Sequence, residues 1–450
     1  MSSLNLSFTL PSRYSSFLPR FLRLASVSIL SNMMVPLSGI VDTAFLGHLA
    51  DIRHLAGVIL ASILFDYLYR ILKFFRNGTN AITAQAVGEN DQQGILLALL
   101  RSSLVAMAIA IAILILQYPI QKLGFAILAG SPDVKVFGID YFNARIWGAP
   151  AVLLNFVLIG WFLGREMNFL VLLISVVGNC SNVILDYVMI NRWGWESMGA
   201  GLATALSQYL ALLVGLVVVG LNIPWKILPT VIKDVFNWQA LKASIALKTN
   251  ILVRYLALIT AYSIFTNLSA AMGNEVIAEN GLLLQIVLLS QFAVNGIGLT
   301  TQSLIGNFKG KGETQQMMPV LQVSIFGSVL IASIFSSVTI LFPQTIFGLL
   351  TSHTDISQSV TNYRDWLLPL LTFGAIAFML EGYTVGLKQG ARLRNSALIA
   401  LGLGFMPIAG MAWYLQNNHL LWLSLTLYMA TLMVSLGVQV PRMQSQQSSL

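Results

Sequence analysis

Apolar runs near 20 residues recur along almost the whole chain, separated by short polar breaks. As an α-helix, a run of that length crosses a hydrocarbon core of roughly 30 Å, and within lipid only helices and closed barrels satisfy their own backbone. Barrel strands would alternate polar and apolar residues over segments of about ten; no such alternation is present. The pattern therefore predicts an all-α membrane protein with twelve spans, near residues 24–50, 54–76, 94–121, 135–162, 167–191, 197–221, 247–272, 276–306, 316–342, 357–385, 395–416 and 419–440. A chain that is 56% hydrophobic and 9% charged, with a mean hydropathy of +0.78, could not present such a surface to water.

The formal net charge of +8 reports orientation rather than nucleic-acid binding. If the N-terminus is cytoplasmic and each span crosses once, the outer segments hold Arg53, Lys122, Lys135 and Arg192, while the inner segments hold most of the remaining Lys and Arg. By the positive-inside rule both termini are expected in the cytoplasm, and no nucleic-acid partner is expected. A multi-pass protein of a bacterial plasma membrane fits. The first 23 residues carry Arg and Ser but no acid, which suits a cytosolic tail and also an organelle transit segment. Cys180 is the single cysteine, so no intrachain disulfide can form; it reads as a small core residue.

The longest break, NIPWKILPTVIKDVFNWQALKASIA at 222–246, lies at the middle of the chain and reads as a basic cytoplasmic linker on the membrane surface. On either side the same punctuation recurs. Asn77-Gly78 with Thr83 and Gly88 matches Asn295-Gly296 with Thr301 and Gly306; Arg145-Ile-Trp147-Gly-Ala-Pro150 matches Arg364-Asp-Trp366-Leu-Leu-Pro369; Gly160-Trp161-Phe-Leu-Gly164 matches Gly382-Tyr383-Thr-Val-Gly386. The order is kept and the offsets are nearly constant, which indicates duplication. Six spans per half makes the repeats parallel, about an axis along the membrane normal. The expected organisation is a tail at 1–23, an N-lobe at 24–221, the linker at 222–246, a C-lobe at 247–440 and a tail at 441–450. Two such bundles leave a central cleft that rocking opens to either side in turn.

A carboxylate at the centre of a span costs roughly 2.5–3.5 kcal/mol on insertion scales, so such groups usually face an interior site. Asp42 and Asp186 qualify. In GNCSNVILDYV, residues Asn179, Asn182 and Asp186 fall on one helical stripe, and in the next span Thr204 and Gln208 form another. These oxygens suit Na+ or a proton as a coupling ion, or they tie helices together by hydrogen bonds. The second half lacks the set: the position offset from Asp42 is Thr260, and that from Asp186 falls near Met406. In FDYLYRILKFFRNG, Asp66 and Arg70 are spaced to pair, with Lys73 nearby, and a structural salt bridge is expected ahead of the alternative, a gate or substrate contact. Arg145 and Arg364 precede Trp and Pro in both repeats, which suggests one shared structural role. Arg254 is expected to snorkel to the cytoplasmic surface.

The runs PLSGIVDTAFLGHL, FFRNGTNAITAQAVG, YFNARIWGAP, NVILDYVMI and WESMGAGLATALSQY resemble the multidrug and toxic compound extrusion (MATE) family, in its DinF-like branch, in order along essentially all twelve spans. The resemblance implies two pseudo-symmetric six-helix lobes in a V shape and cation-driven export of organic, cationic or amphiphilic compounds by a monomer without a cofactor. It maps an ion site onto Asp42, Asn182, Asp186 and Thr204, with Tyr141 beside it, and leaves Asn179 and Gln208 in supporting positions. The chain departs from many relatives at Asn295-Gly296 and Glu381-Gly382, where they carry Asp-Gly.

An alternative within the same superfamily is a flippase for lipid-linked precursors, which would require a strongly cationic cavity. A membrane-embedded prenyl transferase would need clustered Asp, and a nucleotide-driven pump a G-x-x-x-x-G-K-[ST] loop. The chain has neither, so an enzyme is not expected.

Overall fold

The computed structural model describes residues 12–47, 51–128, 130–350 and 359–448, and side chains within 14–34, 51, 53–128, 130–348 and 359–446. Eleven helices among the described residues are long and apolar enough to cross a membrane, and the helix Leu18–Gly47, of 30 residues, makes the twelfth. In order, span 1 is Leu18–Gly47, span 2 is Ile52–Leu72 continued by Phe74–Gly88, and span 3 is Gln92–Ile115. Span 4 joins Pro132–Arg145 to Ala149–Gly164 through a 3₁₀ turn, span 5 is Asn168–Asp186 closed by a π-helical turn at Tyr187–Arg192, and span 6 is Glu196–Asn222. The second half follows as span 7 (Trp238–Met272), span 8 (Asn274–Lys311), span 9 (Thr314–Leu341), span 10 (Leu367–Gly386), span 11 (Gly390–Leu415, with a π-helical turn at Ala400–Phe405) and span 12 (Asn418–Gly437).

Several ends differ from the hydropathy reading, among them the starts of span 1, at Leu18, and of the span 10 helix, at Leu367. Span 2 runs on to Gly88, past the charged stretch, and is broken only at Lys73. The run expected at 94–121 is two helices, because span 3 ends at Ile115 and the shorter Gln117–Ile127 follows it. Span 7 begins at Trp238, inside the expected linker, because the Asn237 side chain accepts a hydrogen bond from the Ala240 N–H at 3.2 Å and caps it there. The remaining linker forms the helix Leu228–Asp234, which is docked on span 3: Arg101 donates to the carbonyls of Asp234 and Val235 at 2.6 and 3.2 Å, covering acceptors that a helix end leaves open. Val231 and Val235 are buried there, while Trp225, Phe236 and Trp238 are exposed. Cys180 is exposed on span 5 and so is not a core residue.

The duplication is written into the backbone. Six of the eight positive-φ residues among the described ones fall in pairs 222 positions apart: Asn90 and Gly312, Glu166 and Lys388, Gly194 and Gln416. The lobes meet along spans 2 and 8 with the same periodicity. Asn80 Nδ2 donates to the Leu299 carbonyl at 3.4 Å, and Gln302 Nε2 donates to the Asn77 carbonyl at 2.6 Å. A Cβ on Gly164 would stand 2.8 Å from the Asn80 carbonyl oxygen, and a Cβ on Gly386 would stand 2.8 Å from that of Gln302. These glycines let span 4 seat on span 2 and span 10 on span 8 at backbone distance, as small residues do between membrane helices. The register of spans 2 and 8 is thus one helical turn away from the match at Asn77 and Asn295. That match is shorter by four residues, which leaves the same face aligned.

Toward the chain termini the lobes are sealed. Gln85 Nε2 donates to the Gly386 carbonyl at 2.8 Å, and Arg20 is paired with Glu166 while donating to Asn307 Oδ1 at 3.1 Å. Beyond Asn77 and Leu299, toward the opposite end, they separate around a cavity.

Candidate functional site

The cavity has a volume of about 750 Å³ and is lined by spans 1, 2, 4, 5, 6, 7, 8 and 10, so both lobes contribute. Pockets of this size take a drug-sized molecule.

Span 5 carries no basic residue from Asn168 to Asp186. Asn182 and Asp186, one turn apart on it, are 3% and 1% exposed. Asn182 lines the cavity wall, and Asp186 is not among the lining residues. The π-helical turn that begins at Tyr187 widens the helix immediately after this carboxylate, a distortion frequent at functional positions. Asn179 also lines the cavity, with its amide donating to the Ser175 carbonyl at 2.7 Å. On span 6, Thr204 lines the wall and donates to the Ala200 carbonyl at 2.9 Å, which leaves its oxygen lone pairs facing outward from its own helix. Gln208, a turn further on, accepts from Asn155 Nδ2 at 3.2 Å. Tyr141 is buried, and its hydroxyl accepts from Arg145 Nη1 at 2.6 Å. Asp42 lies on the helical backbone of span 1, and its side chain is outside the described residues. Asn179, Asn182, Thr204, Gln208 and Tyr141 thus share one cavity.

Several cavity residues carried no site assignment in the sequence. Asp66, Arg70 and Lys73 all line the wall, and among the described residues no ion pair joins them. The expected salt bridge does not form; the Lys73 ammonium instead sits 5.6 Å from the centre of the Phe292 ring on the opposite lobe. Arg145 and Arg364 do not share a role. Both enter 3₁₀ turns, but Arg145 stacks 4.6 Å over Phe65 in the cavity wall, whereas Arg364 lies 3.7 Å from its neighbour Asp365. Arg254 does not snorkel. It is 5% exposed and makes a two-pronged pair at 2.5 Å with Glu381 of span 10, itself 9% exposed. A small cavity of about 30 Å³ adjoins this pair at the seam.

The profile of the MatE family matches this chain twice, over residues 28–188 and again over 251–409. The chain is 32% identical to DNA damage-inducible protein F of Escherichia coli (strain K12), over 92% of this chain and 90% of that protein.

This chain belongs to the MatE family.

It is a DinF-like member and, as MatE proteins are, a transporter rather than an enzyme. It is also 25% identical to Protein DETOXIFICATION 44, chloroplastic, of Arabidopsis thaliana, over 89% of this chain and 78% of that protein. Its fold superposes on an outward-facing multidrug resistance MATE family transporter of the MOP superfamily with a TM-score of 0.82 at 18% identity, covering 95% of each chain. The twelve-helix, two-lobe arrangement is therefore that of the MATE fold. Transporters of this family need no cofactor, and the membrane is this chain's surroundings.

Proposed function

We propose that this MatE transporter is a secondary active exporter of small organic compounds, driven by exchange for Na+ or H+. The observation that carries the reading is the pairing of a drug-sized cavity between two lobes with a carboxylate, Asp186, buried one helical turn from the lining residue Asn182. The names of the relatives support the cargo: the fold neighbour is a multidrug resistance transporter.

In this reading the coupling ion binds at Asp42, Asn182, Asp186 and Thr204, with Tyr141, Asn179 and Gln208 supporting the site. The carboxylate, amide and hydroxyl oxygens of Asp186, Asn182 and Thr204 are hard donors whose chemistry fits Na+ as well as a proton. A bound cation supplies the charge that neutralises Asp186. The chain does the rest: span 5 holds Asn182 and Asp186 on one face, span 6 presents Thr204, and the π-helical turn supplies the local slack through which their spacing changes between states. An ion drives such a cycle only by binding one state more tightly than the other. We take residues 24–221 and 247–440 as the two rocking bodies, joined by the 222–246 linker, in a monomer with cytoplasmic termini. The cavity then faces outward, with the sealed end toward the cytoplasm.

The test is efflux from vesicles with separately imposed Na+ and pH gradients. Asp186→Asn and Asp42→Asn should abolish gradient-driven efflux while the proteins still purify as folded species. Undiminished efflux in either variant would sink the coupling assignment, and the gradient that drives the wild type identifies the ion. The flippase reading called for basic groups in the cavity, and these are present. The multidrug name of the fold neighbour and the volume of the cavity favour a free compound over a lipid-linked one.

A further inference from the structure

Resting on the proposed export function, we infer that the cargo is an amphiphilic organic anion, with its acid group held by the basic stripe of span 2. Arg70, Lys73 and Arg76 are spaced i, i+3 and i+6 across the break at Lys73, and all three face the cavity. None of them has a carboxylate partner within 4 Å among the described residues. Arg76 Nη1 donates to the Asn32 side-chain oxygen at 3.3 Å, which orients the guanidinium without neutralising it. Among the described residues that line the cavity Asp66 is the single acidic one, and Arg254 is already matched by Glu381.

Placing cations in a span is expensive, and such residues usually mark a ligand path. Three in a row with one opposing acid create a positive potential that the low-dielectric walls focus on the cavity. A cationic cargo would be repelled. A carboxylate, sulfonate or phosphate would gain charge-assisted hydrogen bonds, two-pronged at the arginines. The opposite wall is aromatic, with Phe292, Tyr255 and Tyr262 set to receive an apolar body. The resulting site accepts a molecule with one acidic head and a flat apolar remainder.

Two dyes on the same xanthene scaffold separate the charges: carboxyfluorescein, an anion, and rhodamine 6G, a cation. With the purified full-length chain, fluorescence polarisation should show carboxyfluorescein bound more tightly than rhodamine 6G and released as KCl is raised. Arg70→Gln, Lys73→Gln and Arg76→Gln should each weaken binding about tenfold or more. Arg76→Lys should retain most of it, and Arg394→Gln, on the helix of span 11 and outside the cavity lining, should change nothing. If the Gln variants fail to fold, the salt dependence of the wild type and of Arg76→Lys still decides the matter, since a neutral or cation-selective site gives no loss with KCl. Preferential binding of rhodamine 6G, or Gln variants that bind like wild type, would overturn the inference. So would displacement of the anionic dye by phosphatidylglycerol in nanodiscs, which would make the stripe a lipid headgroup site. The two readings fail separately: gradient-driven efflux of rhodamine 6G without anion binding refutes this one alone, and stripe-dependent anion binding without any coupled efflux refutes the export cycle alone.

Discussion

The two lobes repeat their backbone but not their charges, and each has buried its acid in a different way. In the C-lobe, Glu381 is clamped by both prongs of Arg254. In the N-lobe, Asp186 sits on a helix with no basic residue, beside the amide of Asn182, at the start of a π-helical turn. At the repeat spacing of 222, Glu381 corresponds to Ile159 and Asp186 falls at the apolar pair Ile408-Ala409. A buried pair with complete hydrogen bonding is a fixed strut, whereas the acid on span 5 is the one that the proposed function assigns to a mobile charge. The π-helical turns differ likewise: span 11 carries its own nine residues earlier in the repeat than span 5. The proposed coupling chemistry would then belong to one lobe and the strut to the other.

The strongest way to break this contrast is to remove half of the strut. Arg254→Gln leaves Glu381 buried without its partner and should lower stability by about 3–5 kcal/mol, with Arg254→Gln/Glu381→Gln recovering much of the loss. Thermal unfolding in detergent measures both, and a mild effect for the single variant would mean that Glu381 is not held as a strut. Next come the glycines that the lobes do share. Gly164→Ala and Gly386→Ala each push a methyl against a carbonyl of the neighbouring span and should cost about 1–3 kcal/mol, by similar amounts. Unequal losses would show that the twin seams bear different loads. Smaller still is the effect of Asp186→Asn on stability, expected within about 1 kcal/mol because shape is kept and a buried charge is removed; a loss as large as that of Arg254→Gln would make Asp186 a strut as well.

The smallest effect lies outside the membrane. The Arg53 side chain and backbone N–H hold Asp51 down at about 2, from an ordinary 3.8, at the start of span 2. Because its folded value is depressed, this contribution is complete above pH 3.8 and fades as the pH falls through about 2. In the wild type, NMR titration of the Asp51 carboxyl should read this depressed value, and Asp51→Asn should remove only a small, charge-dependent increment of stability above that pH; a carboxyl that titrates at its ordinary 3.8 would show the Arg53 contact to be idle.

Length and hydrophobicity made the twelve spans and their duplication legible, because a membrane leaves the backbone little choice. The polar stripe of span 5 was legible too, since period 3.6 fixes which residues share a face. Pairings across the fold were not. Arg254 and Glu381 are 127 positions apart, and nothing local in either segment names the other. Asp66, Arg70 and Lys73 invited a salt bridge by spacing alone, yet the break at Lys73 and the open cavity beside it direct them toward the cleft. Cys180 read as core because its span is apolar, but one side of every outer helix must meet lipid.

The seam of span 2 with spans 8 and 10 is held by side-chain amides reaching main-chain carbonyls: Asn80 to Leu299, Gln302 to Asn77 and Gln85 to Gly386. When the lobes part at that end, each released amide and carbonyl needs a new partner, and the only plentiful one is solvent. Opening toward the termini is therefore a hydration step, and the turnover of this protein should slow as osmotic stress draws water away from the membrane interior.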